Sequence, residues 1–228
     1  MSSNEKVFVF LRRTDGETLE DFHSRYLQEH TKQILVQSGI LRYTANLSLD
    51  IPEALTPQSG FGNAGDGVDA VDELWCKAED VPFALYEQNF IVVGAYRIDE
   101  RIIVDYKPDW PVGQRSLWLK RLAFLRRVEG MSHDEFGDYW QYRHGPIAAK
   151  THRIAVKYVQ NLITDTLTDG TKPWDGIVQM HFWSVREFVD GFFPEPDSRE
   201  IIMKDVLKFI GDWGVARPAW LLSEYIMR

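Results

Sequence analysis

The sequence predicts an α+β chain of two βαββαβ repeats whose antiparallel sheets pack into one barrel. Three observations carry that expectation. Phe10-Leu11-Arg12-Arg13 returns unchanged as Phe124-Leu125-Arg126-Arg127. At the same offset of 114 residues, Gly16 meets Gly130, Phe22 meets Phe136, Tyr26 meets Trp140 and His30 meets His144. Further on, RYTANLSLD at 42–50 meets KYVQNLITD at 157–165, DAVDELW at 69–75 faces DGIVQMH at 175–181, and VDY at 104–106 faces SEY at 223–225. Matches in that order, with gaps confined to loops, mark a duplicated chain.

Each repeat opens on a strand, KVFVFL or LWLKRLAFL, rich in β-branched and aromatic residues. Thr18-x-x-Asp21 and Ser132-x-x-Glu135 then supply N-cap and capping-box signals for a helix. The second of these helices is expected to end at Gly145-Pro146, and the first to run on toward Gly39. Strands follow at about 40–49 and 154–164 and, after a variable loop, at about 69–77 and 175–184. A helical stretch and a last strand, at about 101–106 and 219–227, complete each repeat. The first half is expected over residues 1–107 and the second over 117–228. KPDWPVG, with Trp110 between prolines, marks a linker over 108–116. The order βαββαβ is the ferredoxin-like split arrangement, whose sheet carries helices on one face and leaves the other bare. Two such sheets in one chain can cover each other's bare faces.

Composition narrows the function. The 228 residues are 44% hydrophobic and 26% charged, with 34 acidic against 26 basic side chains and a net charge of −8. That acidity argues against nucleic acid and anionic membrane surfaces as partners. It says little about a small-molecule substrate, which responds to the field of its own pocket. Cys76 is the single cysteine, so an intrachain disulfide and a Cys-rich metal site are excluded. MSSNEKVFVFLRR lacks a signal-type apolar core, and no apolar run approaches a membrane span, so a cytoplasmic location is expected.

The repeated stretch FHSRYLQEH at 22–30 and FGDYWQYRH at 136–144 sets Phe, an aromatic residue and His at i, i+4 and i+8, on one helix face. Such a stripe packs on a sheet in the ordinary case, with histidine bonded to a carbonyl. It also places an imidazole, which titrates near neutrality, beside apolar rings that favour its neutral, basic form. Tyr43 and Tyr158 enter the following strand beside the stripe, while Tyr139 and Tyr142 lie on the helix flanks. Asn46 and Asn161, three residues further along, face the other side of the sheet. His181 lies on a strand of alternating faces, with Glu73 near the corresponding place in the first half. His152 follows the helix in a basic, solvated loop, and His23 and His133 take outer or capping positions.

The segment LKRLAFLRRVEGMSHDEFGDYWQYRHGPIAAK, followed by KYVQNL and WDGIVQMHFWS, resembles the EthD family of the dimeric α+β-barrel superfamily. Its most specific part is Met-Ser-x-x-Glu-Phe-x-x-Tyr-Trp-x-x-x-His-x-Pro at 131–146. The resemblance implies a pocket between the first helix and the sheet, and proton transfer by His and Tyr on phenolic or enolisable substrates without metal or organic cofactor. It places the family histidine at His144 and, by internal alignment, at His30. Tyr158 is then a candidate catalytic hydroxyl, and Phe136, Trp140, Tyr26, Tyr43, Tyr142 and His181 are candidate substrate contacts. Thr31-Lys32 replaces Gly145-Pro146 in the first half, so one of the two pockets is open to loss.

Other motifs carry less. Gly60-Phe61-Gly62-Asn63-Ala64-Gly65 has the form G-x-G-x-x-G, but follows a proline-containing loop rather than a strand and reads as an insertion or lid. No H-E-x-x-H and no G-x-S-x-G occurs. The Arg12-Arg13 and Arg126-Arg127 pairs are expected mainly to form salt bridges. The expected function is a cofactor-independent enzyme on a small apolar, aromatic or polyketide-like substrate, with a lyase or dehydratase favoured over a cyclase or isomerase. A cofactor-free monooxygenase and a non-catalytic aromatic-ligand binder are the alternatives. A homodimer is compatible with the internal pairing of halves and not required by it.

Overall fold

The computed structural model describes residues 5–49, 67–107, 110–211 and 219–228. The Gly60–Gly65 run and linker residues 108–109 lie outside them. The first half runs β1 (Lys6–Arg12), α1 (Leu19–Arg25), a π-helical turn (Tyr26–His30), α2 (Thr31–Leu35), β2 (Arg42–Ser48), β3 (Ala70–Trp75), α3 (Phe83–Asn89) and β4 (Ile91–Val104). The second runs β5 (Arg115–Leu125), α4 (His133–Asp138), another π turn (Tyr139–His144), α5 (Gly145–Thr151), β6 (Lys157–Thr166), β7 (Gly176–Phe182), α6 (Val185–Gly191), α7 (Ser198–Val206) and β8 (Ala219–Ile226).

The strands close a barrel in the order β1-β3-β2-β8-β5-β7-β6-β4, every adjacent pair antiparallel. Each half contributes four neighbouring strands, and β2–β8 and β4–β6 are the seams between halves. The two sheets therefore join edge to edge as well as face to face, which leaves no unpaired edge among the described strands. Side-chain alternation assigns the layers. On β1, Val7, Val9 and Leu11 face the first half's helices, while Phe8 and Phe10 face the barrel interior.

Both caps form as the sequence implies. Thr18 accepts from the Asp21 amide, and Ser132 and Glu135 complete a capping box. Gly145-Pro146 does not end the second helix. The π turn widens the chain so that Gly145 N–H donates to Trp140 O, and Pro146 falls at the start of α5, where a helix can dispense with an N–H. The first half has the same wide turn, with Thr31 N–H donating to Tyr26 O.

The last strand of the first half begins at Ile91, ten residues before the expected position. Its register corrects the alignment of VDY with SEY: Lys6 pairs with Ile98 and Lys120 with Leu222, so Ile98 and Leu222 are the equivalent positions. Two residues on, Glu100 and Glu224 are equivalent too.

The barrel interior is layered. Rings of Phe10, Tyr96, Phe124 and Trp220 line one end, and Phe8, Val71, Ile98, Leu122, Ile177 and Leu222 fill the middle. The other end holds buried charge. Lys6 Nζ lies 2.8 Å from Glu73, 2.6 Å from Glu100 and 3.1 Å from Asn161 Oδ1. Lys120 Nζ lies 2.8 Å from Glu224 and 2.8 Å from Asn46 Oδ1, and also binds Glu73. Each lysine thus reaches the asparagine of the opposite half. Asn46 and Asn161 donate to the Val71 and Ile177 carbonyls, a structural role on the face expected of them.

Candidate active site

The stripe Phe22, Tyr26, His30 is buried against the first half's sheet, and Phe136, Trp140, His144 against the second's. Trp140 sits directly on β7: a Cβ at Gly176 would come within 2.4 Å of its ring, so only glycine fits there. Below the two stripes the halves diverge.

In the first half, Asp72 on β3 lies at the centre of a sealed cluster. Its Oδ1 accepts from Tyr26 and, at 3.0 Å, from Tyr43; its Oδ2 accepts from Tyr86 at 2.7 Å and from His30 Nε2 at 2.8 Å. Burial first, then the Asp72 charge, pushes all three phenols well above their ordinary range, keeping them neutral donors. The His30 side chain is 2% exposed and its Nδ1 is buried without a partner. Four donors on one carboxylate make a polar core. His30, Tyr26 and Tyr43 are therefore brought together as expected, but as buried partners of a carboxylate.

In the second half Val178 stands where Asp72 would be, and the carboxylate comes instead from α7. His144 Nδ1 donates to Asp205 Oδ2 at 2.8 Å, and Tyr139 donates to Asp205 Oδ1 at 2.7 Å. Equivalent histidines thus use different ring nitrogens, His30 toward an acid on the sheet and His144 toward an acid on α7. The His144 side chain keeps 9% exposure, and its Nε2 has no hydrogen-bond partner among the described residues. Burial pulls the His144 pKa below its ordinary value, with Asp205 opposing. Burial alone would raise Asp205, but Tyr139 and His144 outweigh it and hold the carboxyl below its usual range.

Tyr158 joins the stripe through Trp140, not through His144. Its hydroxyl accepts from Trp140 Nε1 at 3.2 Å and Gln160 Nε2 at 3.0 Å. Phe136 and Trp140 are fully packed as the floor of the helix layer. Tyr142 is 67% exposed. It lines a surface trough of about 720 Å³ with Met131, Glu135, Asp138, Tyr139 and Arg143. Tyr139 belongs both to this trough and to the Asp205 cluster, so it joins the two.

Two expectations about histidines are corrected. His181 faces the barrel interior, where its Nε2 lies 2.7 Å from Glu224, so the sheet separates it from His144. His152 is buried, not solvated: its Nδ1 donates to Phe192 O at 2.7 Å and its ring stacks on Phe192. Arg13 and Arg127 do form salt bridges, with the equivalent Asp69 and Asp175.

Asp72, Asp205, Lys6 and Lys120 were not singled out by sequence. For the lysines a signal exists, since both interrupt apolar strands at the repeat offset of 114. Asp72 shares the buried face of its strand with Ala70 and Leu74, which alternation could have flagged. Asp205 gives no such signal, because its helix carries charge throughout.

Residues 128–212 match the family model described as EthD domain. Among solved structures, that of an anthrone oxidase-like protein is similar over 100% of this chain and 93% of its own, at 12% identity and a TM-score of 0.60. A mutant chlorite dismutase from Candidatus Nitrospira defluvii is similar over 96% of this chain and 90% of its own, at 13% identity and a TM-score of 0.51. No curated protein matches the chain. At these identities the likenesses establish the fold, and no helix among the described residues is long and apolar enough to cross a membrane. The chain thus matches the EthD domain over residues 128–212 and folds, as those structures do, into a closed α+β barrel.

Proposed function

We propose that the chain is a small-molecule enzyme whose working half is the second, with His144 as its proton carrier. The observation that carries this reading is the contrast between the two histidines. His30 is sealed, whereas His144 has Nδ1 fixed by Asp205 and Nε2 without a partner among the described residues. A carboxylate on Nδ1 sets the tautomer that leaves Nε2 as the base and steadies the imidazolium formed when it takes a proton.

The substrate is a small aromatic or polyketide-like compound with an enolisable or phenolic proton, held along the trough at Tyr139 and Tyr142. Nε2 takes that proton, the substrate keeps the electron pair as an enolate or phenolate, and the proton returns at another atom or leaves with a hydroxyl as water. A lyase or dehydratase outcome is favoured.

Thermal-shift screening against phenolic and polyketide-like compounds identifies ligands without a guess at the reaction. For a turned-over hit, His144→Ala should lower kcat/KM by roughly 10²–10⁴-fold, while His30→Ala lowers stability and leaves the rate of folded protein near wild type. Full rate in His144→Ala ends this reading. The likeness to an anthrone oxidase-like protein supports a second outcome, oxidation of the same carbanion, which oxygen consumption during turnover separates. A carboxylate-backed imidazole is also what a metal-ligating histidine presents. A visible absorbance band lost in His144→Ala would therefore move the reading from proton transfer to a bound chromophore.

A further inference from the structure

The aromatic end of the barrel interior is not solidly filled. A hollow of about 130 Å³ opens there, walled by Phe10, Val68, Tyr96, Phe124, Trp174 and Trp220, with Lys172 at its rim. These residues lie on the opposite side of the sheet from His144.

Duplication explains where the space comes from. Phe10 and Phe124 are equivalent and meet at 5.1 Å between ring centres. Tyr96 and Trp220 are equivalent by register, pairing with Phe8 and Leu122 respectively. Val68 and Trp174 are equivalent as the residues before Asp69 and Asp175. Trp174 stacks on Phe124 at 5.2 Å and 18°. The same position over Phe10 belongs to Val68, which has no ring to offer. The hollow is the volume of one absent aromatic ring in an otherwise twofold arrangement.

Its wall is built rather than loose. The segment after β6 is tied to β4 by Leu167 N–H to Ala95 O at 2.9 Å, Ala95 N–H to Thr168 Oγ1 at 3.0 Å and Tyr96 OH to Lys172 O at 3.2 Å. Gly94 lets this segment approach, since a Cβ there would meet Thr171 at 2.8 Å. A preformed, mostly apolar hollow is what small ligands occupy. Lined cavities of about 150 Å³ accept benzene, so the size admits one ring and excludes fused systems.

We propose that this end of the barrel is a second small-molecule site, for single-ring aromatic compounds, separate from the helix-layer site at His144. Toluene and phenol are the probes, titrated into the ¹⁵N-labelled full chain while the indole resonances are followed. Trp174→Phe and Trp220→Phe assign the two relevant signals. Saturable shifts are expected at Trp174 and Trp220, with Trp140 unmoved.

Val68→Phe supplies the absent ring and should weaken toluene binding at least tenfold. Val93→Phe, at the half-buried rim, should do the same and serves if Val68→Phe does not fold. His144→Ala should bind toluene as wild type does. The proposal is overturned if toluene moves neither signal up to its solubility, if both filling variants bind normally, or if His144→Ala abolishes the shifts.

Discussion

His144 donates its Nδ1–H to Asp205 Oδ2 at 2.8 Å, a contact between a π turn in the leading helix and a helix some sixty residues later. The pair sets the pH behaviour of any reaction at Nε2. Burial holds the His144 pKa below 6.5 even though Asp205 opposes it. A base of this kind works in its neutral form, so kcat/KM should rise through an acid limb centred below pH 6.5 and stay flat above it. Asp205→Asn keeps an acceptor and removes the charge. It should lower kcat/KM by roughly 10²–10⁴-fold and move the acid limb to still lower pH. An unmoved limb would show that the titrating group lies elsewhere.

Tyr142 stands in the trough with two thirds of its surface free and no role in the packing below it. Its replacement by alanine should raise KM about 3–10-fold with kcat unchanged, because it would contact ground state and transition state alike. The melting temperature should stay within about 2 °C, since exposed substitutions usually change stability by less than about 0.5 kcal/mol. A fall in kcat at constant KM would place Tyr142 at the reacting atoms instead.

His152 gives the fold a pH dependence of its own. Burial drops its pKa to about 4, from an ordinary 6.5, against the pull of the Phe192 carbonyl. Between pH 6.5 and 4 the unfolded chain therefore binds a proton at this site that the folded chain refuses. Stability is fully present above pH 6.5 and is lost as pH falls through that window, by about 3 kcal/mol from this group. His144 and His181 are shifted the same way and add to the loss. Denaturant titrations across pH 7 to 5 should show His152→Phe less stable at pH 7, because Phe192 O loses its donor. Its slope with pH should be shallower than wild type, by a difference that grows toward about one proton near pH 5.

Much of this fold is legible in the order of residues, because duplication doubles every local signal. A capped helix, an aromatic stripe and an Arg–Asp pair each appear twice, and period-two alternation correctly sends Asn46 and Asn161 to the other face from Tyr43 and Tyr158. What escapes is whatever the halves do differently. The acid beside each histidine comes from β3 in one half and α7 in the other, so no repeat alignment can pair Asp72 with Asp205. Gly145-Pro146 reads as a helix stop because local propensity contains no hint of the wide turn before it. His152 reads as solvated because its neighbours Lys150 and Arg153 are charged, while the residue that buries it, Phe192, is 40 residues away.

The two lysines inside the barrel should behave as a matched set with their carboxylates. Lys120 is bonded to Glu224 and Glu73, and Lys6 to Glu73 and Glu100. Burial would raise Glu73, but Lys120 and Lys6 outweigh it and hold the carboxyl at about 2. Glu224 is likewise held far below its ordinary range, with Lys120 and then His181 opposing its burial. Lys120→Met should therefore leave Glu224 charged and poorly compensated in the interior, destabilising the protein by about 3–5 kcal/mol. Glu224→Gln in that background removes the stranded charge while Lys6 still serves Glu73, so the double variant should regain stability relative to Lys120→Met. Urea denaturation at pH 7 reads both. Additive losses in the double variant would mean that Lys120 acts through packing of its methylene chain and not through its charge.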